Sequence, residues 1–402
     1  MIRASQNLKQ IVSTYPFITS LFRNAGLGAY CEPGFIDKAG KYMQLGSILR
    51  QMRIDVDQFV KAINMAIDEQ NDKCGRDKEL FNVKLLCLLP CGLRNIFREH
   101  LTSFFSDHYS QYSSFRFLCE GNVNHELNFY DQIDSIDDLN QLPELLITSD
   151  FNNVMHQRFL RRFADSGEFV SQESTVCNSW WNEVGFSDTL RHFTMLTANM
   201  LVIVVDRRRL GNRVMPAGWE DLLSDNFRRD IIMRGDGDFF CNAVLLPLYQ
   251  RFGANAMIAL GCNVKCGMHP AQMVKQLNGN SDAGATVYVM PWFFTLTITS
   301  DWAAIVWPRE GAIASPVSML VKKDAAERYH DLIDYIMSAS TAELLVNHKF
   351  PTLHHGVANR DFGSRILWTG WDFIRDNDLA EVKLTIQNLF MPSYTSGAGG
   401  IT

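Results

Sequence analysis

The stretch IVWPREGAIASP, Ile305 to Pro316, decides how this chain is read. An apolar, β-rich run stops at a proline, turns through Arg309, Glu310 and Gly311, and resumes among small residues and a second proline. Proline removes a ladder donor and glycine weakens a strand, so an ordinary buried strand avoids such punctuation. The pattern asks for a strand that stops, turns and restarts.

Working outward, SMLVKK reads as the strand that follows, and AAERYHDLIDYIMS as a helix burying Tyr329, Leu332, Ile333, Ile336 and Met337 at helical spacing. Upstream, VKLLCLLP (Val83 to Pro90), SFRFLCEG, ELLITSD, MLVIVVD, DIIM, ATVYVM and AAIVWP read as strands. Helices separate most of them, among them IFREHLTSFF with Ile96, Phe97, His100, Leu101, Phe104 and Phe105 inward. Apolar strands alternating with helices predict an α/β protein with mainly parallel sheets. No internal repeat or low-complexity tract interrupts the pattern.

At 402 residues the chain exceeds one simple core and divides into two or three domains. A hydrophobic share of 47% with 20% charged residues is globular, and a net charge of -6 argues against a nucleic-acid surface. The run Arg207-Arg208-Arg209 reads as a solvated turn. MIRASQNLKQIVSTYPF lacks the apolar segment of a secretory leader, and no later run reaches the roughly 18–20 apolar residues of a membrane helix. Nine cysteines without a regular framework fit a reducing compartment. The expectation is a cytoplasmic protein without membrane insertion, or a periplasmic or extracellular one if a leader was removed.

Residues 1–70 read as a small helical module. Leu8, Ile11, Val12, Leu21 and Phe22 fall at helical spacings, and Asp55 with Gln58 can open a helix whose stripe is Phe59, Ala62, Ile63, Ala66 and Ile67. Residues 71–79, within the charged run Asp68 to Glu79, read as a linker.

The order of these features resembles the bacterial extracellular solute-binding proteins with the type II periplasmic-binding fold, in particular the iron-type substrate-binding components of ABC transporters. VKLLCLLPCGLRNIFREHLTSFF looks like that family's opening strand, ligand-side loop and first helix, and LPELLITSDFNNVMHQRF like the segment that places a second ligand loop. LVIVVDRRRLGNRVMPAGWEDLLSDNFRRDIIM is similar to its passage into the second lobe, LYQRFGANAMIAL to its late helix, and the segment from Val306 to Ser338 to its return into the first. The resemblance implies a two-lobe fold with lobe 1 at residues 80–195 and 301–402 and lobe 2 at 196–300. It also implies hinge closure over a small-molecule ligand, and an ABC permease as partner. Iron-binding relatives commonly offer adjacent tyrosines; here Met290, Trp292, Phe293 and Phe294 stand in that neighbourhood, which favours a small organic or oxyanionic ligand over bare iron. The N-terminal module resembles a small helical domain of unknown function found alone or ahead of iron-sulfur repair and hybrid-cluster-related proteins. That family tends to carry a cysteine pair; Cys31 is present, but Pro33 and Gly34 stand where the second is expected, which leaves Cys31 a structural or accessory thiol.

Ligands of open α/β sheets bind beyond the carboxyl ends of the strands, and four segments fall there. Pro90, Cys91, Gly92 and Arg94 follow a strand and open a helix: Gly92 permits close approach and Arg94 can pair with an anion, or the segment is an ordinary turn. Thr148, Ser149, Asp150 and Phe151 offer hydroxyls and a carboxylate, although Asp150 can equally cap the next helix. Around Asp236, Gly237, Asp238 and Phe239 the backbone loosens; Asp236 and Asp238 can bind ligand or a cation, Phe239 or Phe240 can cover it, and Asp238 can cap the helix bearing Val244, Leu245 and Leu248. Met290, Pro291 and Trp292 can wall a pocket or simply pack.

No cofactor is indicated. Cys262, Cys266 and His269 have soft-ligand spacing but lack the fourth member a structural zinc needs, and His354-His355 reads as a loop pair. Two other function classes remain open at this level. One is an enzyme using Cys91 as a thiolate nucleophile, with Asp150, Asp236 or Asp238 as base. The other is a cytoplasmic sensor that signals to a protein partner through residues 1–70.

Overall fold

The computed structural model describes residues 83–121, 129–173, 177–237, 239–279, 283–359, 362 and 365–398, and, nearer the amino terminus, 2–15, 18, 19, 22, 27–31, 33–52, 54–57, 59, 60, 63 and 64. The expected linker, Asp238, and Leu21, Gln58, Ala62, Ala66 and Ile67 of the helical expectation lie outside the described residues. The chain forms two compact units, Met1–Leu80 and Phe81–Thr402.

In the first unit Asn7 caps the helix Leu8–Thr14 by accepting from the Gln10 backbone at 2.8 Å. The helix Leu45–Gln51 meets it through backbone bonds from Leu8 to Met43 and from Leu45 to Gln6. Leu8, Ile11, Ile18, Phe22, Leu27, Leu45, Ile48, Leu49 and Ile63 form the core, and Phe59 packs on it. Cys31 is buried in that core.

The second unit carries β1 (Leu85–Leu89), β2 (Phe117–Gly121), β3 (Leu145–Ser149), β4 (Thr194–Asp206), β5 (Ile231–Asp236), β6 (Phe239–Phe240), β7 (Val264–Met268), β8 (Val287–Pro291), β9 (Ala303–Val306), β10 (Ala312–Val321) and β11 (Ile366–Leu367). Lobe 1 has the order β2-β1-β3-β10-β4, and lobe 2 repeats it as β7-β5-β8-β4-β9. In each lobe the outer three strands are parallel, as the βαβ pattern predicts, whereas the inserted fourth strand runs antiparallel to both neighbours. The sheets are thus mixed, because the chain reaches the fourth position by crossing from the other lobe instead of by a helical crossover. β4 is penultimate in lobe 2 and terminal in lobe 1. β10 pairs with β4 and β3, so both strands belong to the join.

That join explains the opening stretch. β9 ends at Val306 on β4 in lobe 2, Gly311 turns the chain at φ +108°, and β10 begins at Ala312 on its way to lobe 1. The turn is fastened. Glu310 accepts from the Trp219 backbone at 2.9 Å, Trp219 donates its ring N–H to the Gly311 carbonyl at 2.8 Å, and Arg309 reaches Asp221 at 3.0 Å. WPREG therefore docks on the PAGWEDLL turn, each supplying the other's missing partners. The second proline, Pro316, sits beside a register shift between Val317 and Ser318, the kind of site where a central strand tolerates it.

Three helices position the site. α1 (Cys91–Asp107) buries Leu93, Phe97, Leu101 and Phe104 on the lobe 1 sheet. α2 (Asn242–Asn263) belongs to lobe 2 and kinks at Gly253, φ +76°. α3 (Leu379–Ala398) packs along α2, and Gly261 makes this possible: a Cβ there would lie 2.6 Å from the Phe390 carbonyl. The helix read over AAERYHDLIDYIMS is broken at Tyr329 into Lys323–Arg328 and His330–Ile336. Among the described residues no helix is long and apolar enough to cross a membrane.

Candidate functional site

Where β3 ends, Asp150 adopts a left-handed φ of +74° and donates its backbone N–H to Pro316 on β10 at 2.8 Å. This turns its carboxylate across the join. Arg234 at the end of β5, in the other lobe, meets it at 3.4 Å, and the Cys241 thiol donates to the same carboxylate at 3.1 Å. Asp150 and Cys241 are buried. Burial pushes the Cys241 thiol up to about 12, with Arg234 opposing and Asp150 adding to the rise. Burial opposes the Arg234 charge, but Cys241, Asp150 and Cys91 around it leave its pKa raised. The buried Tyr130 hydroxyl lies in the Asp150 field and is raised well above its ordinary value, chiefly by burial.

Above this pair opens a cleft of ≈ 540 Å³ bounded by Phe151, Asn152 and His156 of lobe 1, Phe239, Phe240 and Asn242 of lobe 2, and Lys383 and Gln387 of α3. The volume is that of a small-molecule pocket. Its polar end is a chain of three groups. Lys383 Nζ lies 2.9 Å from His156 Nε2, and His156 Nδ1 lies 3.2 Å from Asp134. These partners assign Nδ1–H as donor to Asp134 and Nε2 as acceptor from Lys383. Burial first, and the Lys383 charge second, hold the imidazole down at about 4. Burial likewise pulls Lys383 down to about 8, against the attraction of Asp150, Asp134 and Asp378. Lys383 thus carries a proton at neutral pH, and among the described residues His156 is the one hydrogen-bond partner of its ammonium.

Of the residues read from sequence, Phe239 lines the cleft, while Asp150 and Cys91 are neighbours of Arg234 at the join. Ser149 is beside them, but its hydroxyl donates to the Leu88 carbonyl at 2.8 Å. Asp150 does not cap the next helix; Asn152 does, accepting from Val154 at 3.0 Å. Pro90 precedes α1, and Gly92 is covered by Phe293, whose ring occupies the place a Cβ would take. Arg94 faces Glu120 at 4.0 Å. Asp236 and Gly237 form the exposed β5–β6 turn, and the residue before α2 is Cys241, three positions beyond Asp238. Met290 and Pro291 are buried in β8, and Trp292 stands edge-on to Trp307 and Phe362 at ring distances of 5.3 and 5.2 Å.

Cys91 is exposed at the first turn of α1, with Arg234 as a charged neighbour. The Cys262–His269 spacing resolves into structure: Cys266 lies within β7, and His269 caps the helix Pro270–Asn278. His354 and His355 stack in a loop. Among the described residues no three His, Cys, Asp or Glu side chains converge to hold a metal ion. Arg208 pairs with Asp206 at 2.7 Å and lies over Trp302.

Lys383, His156 and Arg234 were missed by the sequence reading. Lys383 had a signal: it lies in register with Leu379, Ile386 and Phe390, the inward stripe of α3, where a lysine needs a reason.

No curated protein matches the chain. Among solved structures, the apo ferric ion-binding protein A of Pasteurella haemolytica superposes with TM-score 0.54 at 12% identity, over 77% of this chain and 98% of that one. The ferric binding protein from Campylobacter jejuni gives 0.51 at 12%, over 78% and 99%. A Trichodesmium protein in complex with iron and citrate gives 0.51 at 13%, over 76% and 98%. Identities this low show a shared fold. A profile for the bacterial extracellular solute-binding proteins matches residues 140–377, more than half of the chain and both crossing strands. The chain therefore belongs to the bacterial extracellular solute-binding proteins, a family of binding proteins and not enzymes that supplies the substrate-binding components of ABC transporters.

Proposed function

We propose that this solute-binding protein closes its lobes over a small organic anion, with Lys383 as the cationic contact. The observation that carries this reading is the Lys383 ammonium at the wall of a cleft of ≈ 540 Å³, hydrogen-bonded to a neutral histidine. An ammonium has three donors, so two are left to meet an anion. Asn152, Asn242 and Gln387 provide neutral hydrogen-bonding groups around it, and Phe151, Phe239 and Phe240 an aromatic wall. Ferric ion fits poorly: the neighbourhood where iron-binding relatives present paired tyrosines holds Trp292, Phe293 and Phe294, and Phe293 is packed against Gly92.

Native mass spectrometry of the purified protein, with metal analysis of the same sample, tests this. A bound organic anion released on denaturation is the expected result. Stoichiometric iron on a protein that takes up no carboxylate, sulfonate or phosphate in a thermal-shift screen would sink the proposal.

A second reading, a sensor that signals through its amino-terminal unit, is supported by the separate core of Met1–Leu80. It requires a protein partner retained by residues 1–70 in a ligand-dependent way. Capture that does not change with ligand removes it.

A further inference from the structure

Cys87 on β1 and Cys119 on β2 stand directly opposite each other in the strand register. Because the two strands are parallel, side chains at paired positions leave the sheet on the same face, here the one that packs with Leu85, Leu89, Leu93 and Phe97. Cys87 is wholly buried, Cys119 is 2% exposed, and the Cys119 thiol adds to the rise that burial imposes on the Cys87 thiol. Neighbouring strands run about 4.8 Å apart, inside the span of about 4.4–6.8 Å between α-carbons that a disulfide bridges. Among the described cysteines this is the pair that strand register sets face to face.

We propose that Cys87 and Cys119 are a disulfide-forming pair that staples β2, the edge strand of lobe 1, to β1. The oxidant is an organic disulfide. The thiolate of one cysteine attacks it and expels one thiolate; the second cysteine then attacks the mixed disulfide and expels the other. Two S–H bonds are lost, one S–S bond forms, and the acceptor disulfide takes up both electrons and both protons as two thiols. Burial raises the Cys87 thiol, so the exchange is slow in the native fold and proceeds while β1 and β2 are still pairing. Closing this loop constrains the unfolded chain, which raises the stability of the oxidised form.

The full chain, reduced and unfolded, is refolded in buffers of varied oxidised to reduced glutathione, quenched in denaturant with an alkylating agent, and digested without reduction. Cleavage at Lys84, Arg94, Arg116 and Arg158 places Cys87 on Leu85–Arg94 and Cys119 on Phe117–Arg158. Because Cys91 shares the first peptide, Cys91→Ser is run beside the wild type. The expected result is a linked pair of these peptides in both proteins under oxidising buffer, 2 Da lighter than the sum of the reduced peptides, with a Tm several degrees above that of the reduced protein. Two alkylated thiols at every buffer ratio, or bridges that join only other cysteines, would overturn the proposal.

Discussion

Asp150 and Arg234 come from opposite lobes and meet at 3.4 Å, with the carboxylate 2% exposed. A charge pair so placed is a clasp on the join: its partners stay compensated only while the lobes are together. Asp150→Asn leaves Arg234 without its counter-charge, and the expected loss is about 3 kcal/mol in urea unfolding. A change below about 1 kcal/mol would show that solvent already compensates the guanidinium.

Lys383 gives a pH dependence with a definite sign. Its folded value of about 8 lies below that of an ordinary lysine, so between the two the unfolded chain holds a proton that the folded chain lacks. Stability therefore rises with pH through that window, by up to about 3 kcal/mol, while anion binding fades above pH 8. Lys383→Met is expected to remove the alkaline slope, raise the Tm at neutral pH and weaken anion binding at least tenfold by calorimetry. Unchanged binding would move the anion site elsewhere.

His156 acts at the other end of the scale. Its folded value of about 4 is below the ordinary imidazole value, so acid protonates the unfolded chain first and stability falls as pH drops toward 4. Replacing it, as His156→Gln, is expected to flatten the acid limb of the Tm profile between pH 6 and 4. An identical profile would mean that other groups dominate acid unfolding.

Gly92 and Phe293 form a contact between lobes in which the glycine hydrogen is replaced by nothing larger. Gly92→Ala is expected to cost about 1–3 kcal/mol by forcing the ring aside. In a Phe293→Ala background the same change should be nearly neutral, because alanine suits the first turn of a helix. Additive losses in the double-mutant cycle would deny the contact.

Much of the architecture was legible because its signals are local. Pro308 and Gly311 mark the turn between β9 and β10, and the alternation of apolar strands with helices marks the class. The dual membership of β4 and β10 was not legible, since nothing within a strand names its neighbours. β7 was also hidden: VKCGM is short, and its cysteine reads only as a thiol with too few soft-ligand partners for a metal, where the chain in fact makes a strand and, at His269, a cap. At the site, Asp150 and Phe239 carry a local signal, their position after strands. The role given to Gly92 met Phe293, and the Ser149 hydroxyl met Leu88, partners that only folding brings close. Lys383 lies more than 200 residues beyond His156, so their hydrogen bond leaves no local trace beyond a lysine on an apolar stripe.

The interleaving of β4 and β10 sets a timetable for synthesis. Residues 201–306 contain all five strands of lobe 2, so that sheet has its complete complement as soon as Val306 clears the ribosome. Lobe 1, begun with β1, must hold β1, β2 and β3 ready while more than 160 further residues emerge before β10 arrives to pair with β3. At about 5–20 residues per second that is a wait of roughly 8–30 s with exposed strand edges. The half of the protein started first is finished last, and Lys383, which follows later still, arms the cleft only when both sheets are in place.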